Sequence, residues 1–119
     1  MSGLVEYSAD ARSKTMNQNF RCRAWVNFSG ESTLTVRASA NVSSVTDNGT
    51  GAYTMNFAQA MPDNDYCALM THENIAYGGT SWIFGASDVT PSSVKMGVYA
   101  VHNVLAYEDT AVGCIAIFR

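Results

Sequence analysis

Residue types able to do chemistry concentrate in two stretches. "THENIAYGGTSW", residues 71 to 82, holds His72, Glu73, Asn74, Tyr77 and Trp82, and "HNVLAYEDT", residues 102 to 110, holds His102 and Tyr107. Each combines imidazole, carboxylate, amide and aromatic groups between strand-like runs, where connecting segments carry binding surface. Flat rings stack on the C–H faces of sugars while amides and acids read hydroxyls, so these seven residues are candidate glycan contacts. The competing expectation is that the rings pack at a sandwich rim or a subunit interface, where aromatics are also enriched.

A second cluster is acidic: Asp47 in "TDNGTG", and Asp63, Asn64 and Asp65 in "MPDND". Calcium takes several oxygen ligands from one loop, but a full calcium loop needs more carboxylates and a terminal bidentate Glu. Turn chemistry accounts for these residues instead. Asn48-Gly49 and Gly51 offer left-handed backbone, Pro62 fixes one dihedral, and Asp side chains accept nearby amide hydrogens.

Covalent catalysis has less to build on. His72 and His102 are the only histidines, no Gly-x-Ser-x-Gly elbow precedes a helix, and no spacing selects a glycosidase pair among the acids. Gly78-Gly79 leads into a strand-like run, not a helix that could hold a phosphate. The three cysteines, Cys22, Cys67 and Cys114, stand far apart inside strand-like runs, unlike the close pairs of a zinc site. They read as reduced thiols, mostly small core hydrophobes. The sequons at Asn27, Asn41 and Asn48 read as chance matches. The expectation is a non-enzymatic chain with no metal and no cofactor.

The elements that must position these residues follow from pattern. At 119 residues the chain fits one domain with one core. Only 14% of residues are charged against 47% hydrophobic, so part of the surface is expected to meet another protein. The net charge is −3 with scattered basic residues, which lacks the basic stripe that nucleic acid demands. No apolar stretch approaches a membrane helix, and "MSGLVEYSADARSK" lacks the features of a signal peptide, so no membrane insertion or secretion is expected.

Period-2 alternation predicts strands in "RAWVNFS", "TLTVRA", "AYTMNF", "DYCALMT", "TSWIFGAS", "SVKMGVYAV" and "VGCIAIF". Turn signals about every ten residues make this an all-β antiparallel β-sandwich over residues 21 to 119. Residues 1 to 20 read as a polar N-terminal arm for docking or trimerisation. The expected core is Val26, Phe28, Leu34, Val36, Met55, Phe57, Leu69, Met96, Val98, Ile115 and Ile117.

The segments "CRAWVNFSG", "VRASANVSSVTDNGTGAYTMNFAQAMPDNDYCAL", "VKMGVYA" and "VGCIAIFR" resemble a domain that recurs in tail-fibre and other virion structural proteins of tailed bacteriophages. The likeness covers residues 22 to 119, and "CRAWVNF", "NVSSVTDNGTG" and "AMPDNDY" are its most distinctive parts. More loosely, the second half resembles the H-type lectins: the strand ending at Phe57, the turn at Pro62, and strands at 66 to 70, 94 to 100 and 112 to 118.

The resemblance implies a small antiparallel sandwich, trimeric assembly, and sugar binding near protomer boundaries, although no family signature maps onto single residues here. It implies a virion location, with assembly in the host cytoplasm and a homotrimer docked on tail, baseplate or capsid proteins. Two roles remain open: a tail-fibre or receptor-binding adhesin for host glycans, and a capsid decoration protein. The family motif begins about twenty residues after Met1, which fits either a fragment or a short complete protein.

Overall fold

The computed structural model describes residues 21–73, 80–101 and 105–119. The expected arm, residues 1 to 20, lies outside the described residues. Nine strands follow in chain order: β1 (Cys22–Ser29), β2 (Thr35–Ala40), β3 (Val42–Gly49), β4 (Ala52–Phe57), β5 (Cys67–His72), β6 (Thr80–Ser87), β7 (Ser93–Val101), β8 (Leu105–Tyr107) and β9 (Gly113–Phe118). They form an antiparallel sandwich. One sheet has the order β2-β1-β9-β5 and the other β3-β4-β7-β6, with β8 also paired to β7.

Alternation explains which faces meet. Ala24, Val26 and Phe28 on β1, with Ile115 and Ile117 on β9, point inward from the first sheet. Tyr53, Met55 and Phe57 on β4 and Val94, Met96 and Val98 on β7 answer from the second. Phe28 meets Tyr53 edge to face at 4.9 Å between ring centroids. Fully burying each large side chain of this set contributes roughly 1.5–3 kcal/mol, and Met61 from the β4–β5 link fills one end.

Three expectations about burial are corrected. Leu69 is 55% exposed, because it pairs with Ala116 on the outer face while Ala68 and Met70 pair with Ile117 and Ile115 on the inner one. The run "CALM" is apolar in both phases, so period alone could not choose between them. Val36 is 39% exposed because β2 is an edge strand beyond a bulge at Asn27 and Phe28, and every residue of it is exposed. Leu34, just before it, is only partly buried. The thiols are not core hydrophobes either: Cys22 and Cys67 are exposed and Cys114 is half-buried, all unbonded.

The sandwich changes sheets between β2 and β3 through Asn41 alone, at φ 55°. Asparagine tolerates that left-handed backbone. Its Nδ2 donates to Arg23 O and Gln59 O, and its Oδ1 accepts from Gln59 N at 2.7 Å. One side chain therefore ties β1, the corner and the β4–β5 link.

The other end is closed by a polar knot. The Tyr53 hydroxyl donates to Asp109 Oδ1 at 2.9 Å and accepts from Thr110 N, while Gly51 N also donates to Asp109 Oδ1. Gly30 N donates to Thr110 O at 2.8 Å. Burial, more than the neighbouring Asp109 carboxylate, pushes the Tyr53 phenol above its ordinary pKa.

The acidic turn residues do what their spacing suggests. Asp47 Oδ1 accepts from Gly49 N, and Asp63 Oδ1 accepts from Asp65 N. The left-handed positions of the β3–β4 turn fall on Gly49 and Gly51 and not on Asn48. Asp63 also takes a two-pronged contact from Arg119, with Nε at 2.9 Å and Nη2 at 2.8 Å. That contact lowers its pKa from 3.8 to about 2. A depressed carboxyl pKa stabilises the fold above the unfolded value, and this contribution is lost as pH falls from about 4 towards 2. Asp63→Asn is expected to flatten the loss of Tm between pH 4 and pH 2, as thermal melts across that window would show.

Candidate functional site

On the outer face of the five-stranded sheet, register builds a row of aromatic residues. Tyr99 on β7 pairs with Trp82 on β6 on one side and with Tyr107 on β8 on the other. Val98, buried beside Tyr99 in sequence, fixes the outward phase of Tyr99. The Tyr99 and Tyr107 rings lie 4.3 Å apart at 37°, and the Tyr99 hydroxyl donates to that of Tyr107 at 3.0 Å. That donated hydrogen bond is the main reason the Tyr99 phenol is pushed up to about 12. Tyr99 therefore stays neutral through the physiological range.

The next row is Phe84, Gly97 and Ala52. Gly97 carries no side chain and Ala52 only a methyl, so the sheet floor beside Tyr99 stays low. A raised pair of rings next to a low floor suits the flat C–H face of a sugar. Tyr107, half exposed, adds a hydroxyl whose hydrogen is available to a ligand. Rings and hydroxyls make this binding chemistry.

The sequence-predicted contacts distribute unevenly over this frame. Trp82 and Tyr107 fall in the row. His72 is half-buried at the end of β5 on the other sheet, paired with Gly113, and its Nδ1 donates to Glu73 O at 2.6 Å. Glu73 is exposed, and its amide donates to Val112 O. Asn74, Tyr77 and His102 lie outside the described residues. Thr80, Val101 and Leu105 are register neighbours, so the chain leaves residues 74–79, and enters and leaves residues 102–104, at the Tyr99 end of β7.

Sequence reading missed Tyr99. The alternation in "VKMGVYAV" already set it opposite Met96 and Val98, but only register could place it between Trp82 and Tyr107. Among the described residues no group of three His, Cys, Asp or Glu side chains could hold a metal ion. Compared with protein-family models, curated proteins and solved structures, the chain matches none.

Proposed function

We propose that this chain is a non-enzymatic virion structural protein of a tailed bacteriophage, a homotrimeric tail-fibre or receptor-binding adhesin that recognises host-surface glycans. The observation that carries the glycan reading is the Tyr99 and Tyr107 ring pair beside the low floor at Gly97, with Trp82 in register with Tyr99. The virion setting rests on the resemblance of residues 22 to 119 to phage virion domains.

Assembly is supported by the outer face of the other sheet. Across it run the rows Ala40, Trp25, Ala116 and Leu69, then Ala38, Asn27, Cys114 and Thr71, then Cys22, Phe118 and Cys67. None of these residues is charged, and Trp25 and Leu69 are 39% and 55% exposed. Arg37 is a charged side chain that reaches onto this face, held by donating to Asn27 Oδ1 and Ala111 O. Neighbouring copies are the occupant we assign to this face, in keeping with a chain only 14% charged, and closed threefold symmetry would cover it in every copy. A charge buried without a partner is costly. Trp25→Glu is therefore expected to turn the trimer into monomers at micromolar concentration in sedimentation equilibrium. An unchanged mass for the variant, or a monomeric parent protein, would remove this interface.

The same largely apolar face gives the capsid decoration role its support, since a broad sheet surface could clamp capsid subunits. Immunogold labelling of intact particles separates the two. Label at the tail tip is expected, and label over the whole head would establish decoration instead.

A further inference from the structure

At the end of the sandwich away from the aromatic row, a cleft of about 680 Å³ opens between the start of β1, the Asn41 corner, the β4–β5 link and Arg119. Arg21, Arg23 and Arg119 line it, three of the seven basic residues in a chain of net charge −3. Their partners differ. Arg119 is engaged by Asp63, with Asp65 within electrostatic reach. Arg23 spends Nη1 on Arg119 O at 3.0 Å. Asn41 has spent its whole amide on the corner. Arg21 and Gln59 make no side-chain hydrogen bond or ion pair among the described residues, and Met61 and Pro62 provide an apolar wall.

Guanidinium groups match carboxylates in a planar fork, as Arg119 and Asp63 already demonstrate in this place. An unengaged arginine, a second with donors to spare, a free amide and an apolar wall form a donor set for one carboxylate and neighbouring hydroxyls. The volume lies within the roughly 300–1,000 Å³ usual for small-ligand sites. We propose that this cleft binds the carboxylate of an acidic sugar residue, held by Arg21 and Arg23, with Gln59 reading a ring hydroxyl. The site is separate from the aromatic row and does not depend on it.

The test is a titration of the full chain followed by amide NMR, with glucuronate, glucose, inorganic sulfate and a tetraglutamate peptide as probes. Glucuronate is expected to shift Arg21, Arg23 and Gln59 with roughly millimolar Kd, weakening several-fold between 20 and 200 mM salt. Glucose should leave them still. Arg21→Gln should raise the Kd at least tenfold with Tm unchanged, and Tyr107→Ala should bind glucuronate as the parent does. The proposal is overturned if Arg21→Gln binds equally well. It is also overturned if sulfate matches glucuronate, which would mean an adventitious ion only, or if the peptide binds more tightly, which would mean a protein-docking site.

Discussion

Gly51→Ala is expected to lower the unfolding free energy by about 3–5 kcal/mol, a large share of what a domain of this size possesses. Gly51 sits at φ +68°, and a Cβ there would stand 2.5 Å from Val98 O and 2.7 Å from Glu108 O. Both obstacles are backbone atoms, which cannot swing aside as a side-chain tip can. Moving them would break the bond from Val98 N to Gly51 O and the bond from Gly51 N to Asp109, and with them the knot around Tyr53. Gly49→Ala is the control. Its φ of +126° is strained for alanine, but nothing lies within 4 Å of the added carbon, so about 1–3 kcal/mol is expected. Urea melts of both variants measure the difference, and a Gly51→Ala cost below about 1 kcal/mol would mean that the knot does not hold this end together.

The strands β1, β4 and β7 were legible because each carries one apolar and one largely polar phase, as in "AYTMNF", where Tyr53, Met55 and Phe57 are buried. Where both phases are apolar, as in β5, the sequence left the choice open and Leu69 fell on the wrong side. Where the sequence lacks an apolar phase the strand itself was invisible. β3 buries only Val45, and "VSSVTDNG" was not read as a strand, its end counting only as the turn signal "TDNGTG". β8 has three residues, too few for a period. The aromatic row shows the same limit at the site. Trp82 and Tyr107 stood out by type, but Tyr99 belongs to them only through the register of β7 against β6 and β8.

Removing one ring from that row carries the second large effect. Tyr107 is half exposed and rests on Tyr99, so Tyr107→Ala should change Tm little while uncovering one side of the platform. If the ring contributes about 1 kcal/mol per site and the proposed trimer engages three sites together, about 3 kcal/mol is lost, or roughly a hundredfold in avidity. Adsorption of particles carrying the variant should fall on that scale, and Tyr107→Phe should retain most of it because the ring face is kept. If Tyr107→Ala instead destabilises the assembly while adsorption per folded particle stays normal, the row is a packing surface between copies.

Glycan recognition by the aromatic row is tested most directly by saturation-transfer NMR on the purified chain with host-surface polysaccharide, comparing the parent with Tyr107→Ala. Transfer to the ring C–H protons of the sugar, at least tenfold weaker in the variant at equal folded concentration, is the predicted result. Equal transfer to parent and variant, or none to either, would contradict it.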